Sequence, residues 1–282
     1  MKISRNIYKF FLAGLMVALM ATACQDSFLE VTPTGSLGNA QLATKDGVEG
    51  ALIGAYAALR GVFGNRFEGP NNWVTGSILG GDDNKGTDPG DYSSIKPIQR
   101  YETAPTNVDL NNLWRGRYEG ISRANSVLNL VAETTDLTTE DATRISAEAR
   151  FLRGHYYFDL KKIFNSVPYI DEKVAAADIS TVPNSPDFWS KIEEDLKFAF
   201  DNLPETLPEA GRANKWAAGA YLAKAYLYQG KYGEAKSMFD DVIANGQTTN
   251  GKPYALVADY PEIYNAENDN HEESVFAVQT AM

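Results

Sequence analysis

The chain has 282 residues and carries 26 Lys and Arg against 37 Asp and Glu, a formal net charge of −11. So acidic a surface argues against nucleic acid or anionic headgroups as partners, and 44% hydrophobic with 11% aromatic residues excludes general disorder. There is one cysteine, Cys24, so no internal disulfide can form and the fold must be held by its core.

Residues 1–23, MKISRNIYKFFLAGLMVALMATA, place Lys2, Arg5 and Lys9 ahead of an uncharged apolar run from Phe10 to Met20, followed by small residues. The run is short for a bilayer span and has the pattern of a secretory signal. Cys24 comes directly after it, so the sequence predicts a lipoprotein signal, with Cys24 acylated and residues 1–23 removed. Ala21 departs from that pattern, since lipoprotein signals more often carry Leu there. Taking 23 from 282 leaves 259 residues, with 23 basic against 37 acidic side chains and a formal charge of −14.

Residues 24–40 are rich in turn formers and read as an extended tether, with 41–282 as one helical domain. A helix is expected over Leu42 to Arg60, with a cap at Thr44 and Val48, Leu52, Ala55, Tyr56 and Leu59 on one face, ended by Gly61. From Val62 to Asn107 glycines and prolines recur, and no helix is expected to persist. Helical spacing returns over Asn111 to Glu133, then from Glu140 to Phe164, where NSVP and its Pro168 stop it. Further helices are expected over Asp187 to Leu203 and as a pair broken by Gly230, and HEESVFAVQTAM alternates like a strand. The fold class is therefore mainly α, with helix pairs, long irregular loops and little strand.

The most specific internal pattern is WAAGAYLAKAYLYQGKYGEAKSMFDDVI, Trp216 to Ile243. Leu222, Ala223, Tyr226, Gly230, Tyr232, Ala235, Phe239 and Val242 stand at tetratricopeptide spacing, in which small residues let two antiparallel helices approach and a glycine makes the turn. One such unit cannot bury its own face. Ala147 to Leu160 resembles the first helix of another, its partner from Asp187 displaced by a segment with three prolines.

These pieces occur in a telling order: CQDSFLEVTPTG, LWRGRYEGISRANSVL, AEARFLRGHYYFDLKKIFNSVPYI, RANKWAAGAYLAKAYLYQGKYGEA and EESVFAVQ. In this the chain resembles the SusD/RagB family of Bacteroidetes surface lipoproteins, over most of residues 24–279. The resemblance implies a tetratricopeptide-like fold and capture of a glycan or other nutrient. It also implies a partner TonB-dependent outer-membrane transporter of the SusC type, met by the helix pairs. Family members are substantially longer, so the sequence reads as the N-terminal portion of such a protein.

Chemistry for catalysis is sparse. There are two histidines, and no GxSxG, Walker loop, HExxH or CxxC pair, so no enzyme activity, cofactor or metal is expected. His155 reads as a packed core residue and His271 equally well as solvated. Glu193-Glu194-Asp195 reads as the polar face of a helix. Asp82, Asp83, Asn84, Asp88 and Asp91 crowd a glycine-rich loop but fit calcium-loop spacing only in part. Sugar recognition needs flat aromatic faces and planar polar groups on loops over a rigid scaffold. The Val62 to Asn107 region offers these: Trp73, Tyr92 and Tyr101 for stacking, and Asp82, Asp83 and Asn84 for hydroxyls, with Asn71, Asn72, Gln99 and Arg100 nearby. The competing reading packs Trp73 and Tyr101 against the helices. Trp114, Tyr118 and Trp216 read as core. A second functional reading is a scaffold that binds only proteins through its helix pairs.

Overall fold

The computed structural model describes residues 39–61, 73–86, 88, 90–185 and 187–279, with side chains from 41 onward. The expected signal at 1–23, Cys24 and nearly all of the 24–40 tether lie outside the described residues, as do Asn71 and Asn72. Residues Leu42–Met282 form one compact unit.

The helices start where the sequence supplies side-chain caps. Thr44 Oγ1 accepts from Gly47 N at 3.1 Å and opens α1, Lys45–Ala57, which tightens through Ala58–Arg60 and stops at Gly61 with φ 101. A short α2 spans Ile95–Gln99. Asn107 Oδ1 takes the Asp109 and Leu110 amides at the head of α3, Val108–Glu133, and Thr138 takes the Asp141 amide at the head of α4, Thr139–Phe164. Next come α5, Trp189–Asn202, and α6, Lys215–Tyr228, the latter capped by Asn214. Gly230, at φ 72, turns the chain into α7, Tyr232–Asn245.

Successive helices pack on one another, α3 on α4, α4 on α5, α5 on α6 and α6 on α7, with α1 against α3 and α4. This is stacked helix-pair architecture, in which each unit buries its face on the next. Every residue of α4 from Phe151 to Leu160 is buried, as expected of a helix enclosed on all sides. Glycines set the closest approaches. A Cβ at Gly120 would lie 2.3 Å from the Tyr156 ring, and one at Gly219 would lie 3.0 Å from Phe200. In the α6–α7 pair, Leu222, Ala223, Ala235 and Val242 are buried as their spacing requires, whereas Tyr232 is exposed. Between α4 and α5, β1 (Val167–Pro168) pairs antiparallel with β2 (Asn184–Ser185) and closes the proline-containing insertion.

Ion pairs clamp the layers. Arg153 on α4 donates to Asp195 of α5 at 2.7 and 2.8 Å, to Asn125 of α3 at 2.9 Å, and also to Glu172 of the insertion. Glu148, fully buried, receives Tyr56 Oη of α1 at 2.8 Å and Arg144 at 2.7 Å, with Arg212 at 3.3 Å. Burial pushes the Glu148 carboxyl above its ordinary pKa against the pull of Arg212, Tyr56 and Arg144.

Three features differ from the sequence reading, and a fourth settles a choice it left open. Helical turns do persist between Val62 and Asn107, at Trp73–Ile78 and in α2, because both bury apolar residues against each other. Asp195 is buried rather than part of a solvated acidic face, since Arg150 and Arg153 both reach it. His271, for which the sequence left packed and solvated roles equally open, is buried, its Nδ1 accepting from Glu273 N at 3.1 Å. Residues 275–279 form no strand. The apolar face made by Val275, Phe276 and Val278 packs onto the helical core, with Phe276 and Phe151 rings 5.1 Å apart.

Candidate functional site

The loop region after α1 folds around its own small core. A widened π-type turn at Trp73–Ile78 and α2 bring Val74, Ile78, Ile95 and Ile98 together, with Trp73, Leu79 and Leu110 partly buried against them. Pro97 fits because it stands in the first turn of α2, where its missing N–H breaks no helical bond.

Gly81 and Gly86, both at positive φ, shape the acidic corner that follows. The Asp82 and Asp83 amides both donate to Ser77 O, at 2.9 and 3.1 Å, which ends the π-type turn and leaves the two carboxylates exposed. Asn84 Oδ1 accepts from Gly86 N at 3.2 Å and from Gln99 Nε2 at 2.9 Å, so α2 is tied to the corner. Tyr101 Oη donates to Leu79 O while 75% of the residue stays exposed. Asp82, Asp83, Asn84 and Tyr101 are thus held along one edge. Tyr92 sits on the turn into α2, exposed, and Trp73 is partly buried on the small core. Gln99 joins the edge through Asn84.

Tyr92 and Tyr101 have φ of 43 and 59, two of only four non-glycine residues in the left-handed region among those described. Such a conformation costs on the order of 1 kcal/mol or more for a bulky side chain and persists only where the surroundings enforce it. Lys85 is buried inside the acidic corner, its ammonium 3.4 Å from the Gly86 and Asp88 carbonyls. It brings a positive charge into the loop weighed for calcium, and among the described residues no group of three His, Cys, Asp or Glu is placed to hold a metal.

A cleft of about 480 Å³ separates this module from α4 and α6, lined in part by Thr75, Leu79, Thr103, Lys162, Lys224 and Tyr228. A second hollow of about 480 Å³ adjoins it through Thr103 and Leu110 and reaches Trp114 and Phe164. Sequence reading did not find the cleft, because its walls come from five separated segments. The i, i+4 spacing of Lys224 and Tyr228 on a helix was the one available signal.

The residues best able to move protons are locked in the core. His155 Nδ1 lies 3.1 Å from Tyr221 Oη, and burial pushes the ring down to about 4, so it is neutral near pH 7. Asp159 is bound by Arg117 at 3.0 Å and Lys162 at 2.7 Å, and against the upward push of burial these charged neighbours and His155 hold it near 2.

Residues 72–227 match the model of a family described as starch-binding and associating with the outer membrane. The chain belongs to the SusD-like family. A SusD-like protein of Bacteroides ovatus is 30% identical over 93% of this chain and 48% of its own length. The crystal structure of a SusD superfamily protein from Bacteroides vulgatus superposes with a TM-score of 0.70 at 26% identity, covering 84% of this chain and 50% of that one. A laminarin-binding SusD-like protein superposes with a TM-score of 0.64 at 27% identity, covering 81% and 50%. The SusD-like chain described here thus spans about half the length of the relatives it matches. Its mainly helical, paired-helix architecture is that of the family.

Proposed function

We propose that the protein is a non-catalytic surface lipoprotein that captures an oligosaccharide and passes it to a partner TonB-dependent, SusC-like outer-membrane transporter. The observation that carries this reading is the edge formed by Asp82, Asp83, Asn84 and Tyr101, where the loop module presents carboxylates, an amide and an exposed ring. Tyr101 offers a flat face for sugar C–H groups, and Asp82, Asp83 and Asn84 offer planar partners for hydroxyls. Tyr92, exposed on the turn into α2, and Trp73, partly buried on the small core, are the further rings this module offers for stacking. Backbone strain at Tyr92 and Tyr101 is typical of functional sites. Burial of His155 and Asp159 supports a binding role over chemistry, and Leu227, Tyr232 and Ile243 on α6 and α7 are exposed apolar side chains available to the transporter. Cys24 would carry the lipid that holds the chain at the outer membrane.

Affinity-gel retention by the Tyr101→Ala and Asp83→Ala variants of the full chain tests the site. Loss of one stacking ring should weaken binding by roughly 1–3 kcal/mol, about 5- to 150-fold in Kd, with melting temperature unchanged. Retention intact in both variants would remove the site from this edge. For Trp73→Ala a lowered melting temperature with intact retention would assign that ring to packing alone.

A further inference from the structure

The cleft between the loop module and the helices is lined by two lysines. The chain is strongly acidic, yet Lys162 from the last turn of α4 and Lys224 from α6 both line this one cavity. They sit around the Phe158 ring, with Lys162 Nζ 5.1 Å and Lys224 Nζ 5.7 Å from its centroid, and Tyr228 meets the same ring edge-on at 5.1 Å. Their situations differ. Lys162 is neutralised by Asp159 at 2.7 Å. Lys224 has no hydrogen bond or ion pair among the described residues, and partial burial together with the Lys162 ammonium lowers its pKa. Among the described residues the carboxylate beside these two lysines is that of Asp159, which Lys162 takes at 2.7 Å, so the Lys224 ammonium is the charge of the cleft left to attract an anion. An ammonium placed beside another cation without a counter-ion is stabilised by any anion that enters.

We propose that this cleft is a subsite for an anionic group on a sugar ring, a uronate carboxylate or a sulfate ester. Lys224 binds the anion, and Tyr228, one helical turn along the same face, lies against the ring. The cleft adjoins the edge described above, since Leu79 lines it and accepts the Tyr101 hydroxyl proton on its carbonyl. A glycan crossing that edge would reach the lysines. The inference rests on the glycan-capture reading and narrows it to acidic glycans.

The test is affinity electrophoresis of the full chain in gels holding charge-matched pairs: polygalacturonate and its methyl ester, alginate and carboxyl-reduced alginate, dextran sulfate and dextran. The acidic member of at least one pair should be retained over its neutral partner, which tells carboxylate from sulfate. Lys224→Met should cut that retention about tenfold and Lys224→Arg should keep it, the size expected of a charge-assisted hydrogen bond in a half-buried cleft. Lys224 is exposed on α6, so neither variant disturbs the core. Equal retention of neutral and acidic partners, or retention of an acidic glycan indifferent to Lys224→Met, overturns the subsite while leaving glycan capture standing. No retention in any gel overturns both.

Discussion

Two glycine-to-alanine substitutions should move stability in opposite directions. Gly120 lies in α3 where that helix crosses α4, and an added Cβ would sit 2.3 to 2.7 Å from three ring atoms of Tyr156. Tyr156 cannot swing aside, because it is fully buried and its hydroxyl donates to Ala55 O of α1 at 3.0 Å. Clearing ordinary van der Waals contact means shifting the ring or the helices by more than an ångström, an overpacking that costs about 1–3 kcal/mol, with more at stake if the bond to Ala55 breaks. Alanine gains back up to about 1 kcal/mol of helix propensity. The net expectation for Gly120→Ala is a loss of roughly 1–2 kcal/mol, a fall in melting temperature of about 2–8 °C for a chain this size. At Gly50, in α1, nothing lies within 4 Å of an added Cβ, so only the propensity gain remains and Gly50→Ala should raise stability by about 0.5–1 kcal/mol. Calorimetry on both variants in the full chain checks the pair. An unchanged or higher melting temperature for Gly120→Ala would refute the contact between α3 and α4.

Asp195→Ala strands Arg153, which is buried and among the described residues keeps Glu172 and Asn125, so chemical denaturation should show a loss of about 3–5 kcal/mol; less than about 1 kcal/mol would deny the clamp its role. His155, pushed down by burial to about 4 from an ordinary 6.5, is protonated more readily in the unfolded chain, so stability should fall as pH drops from 6.5 to 4, by about 3 kcal/mol in total. Thermal melts of the wild type and His155→Gln across that window should diverge, and parallel curves would contradict the assignment. Cys24→Ala should release soluble protein, and a product still in the membrane fraction after a carbonate wash would rule out the lipid anchor.

What the sequence disclosed was mostly local. Thr44 and Gly61 bound α1 because a cap and a left-handed stop are written in single residues. Gly230 and the small residues of α6 and α7 revealed a helix pair because close approach demands them. Tertiary effects were hidden. The π-type turn and α2 exist because Val74 and Ile78 meet Ile95 and Ile98 across a glycine-rich stretch, a pairing no periodicity encodes. Asp195 looked like one more acid in a run, and only the arrival of two arginines from α4 makes its burial tolerable. At the site, the exposed carboxylates, the tyrosines and Gln99 could be named from composition, whereas the bond that ties Gln99 to Asn84 and the cleft lysines, brought in by α4 and α6, could not.

The most direct test of the account is calorimetric titration of oligosaccharides into the purified full chain, with reducing ends assayed in the same samples over a day. Saturable binding at a one-to-one ratio, with no rise in reducing ends, is the predicted result. An absence of saturable binding across neutral and acidic glycans, or a steady release of reducing ends, would contradict it.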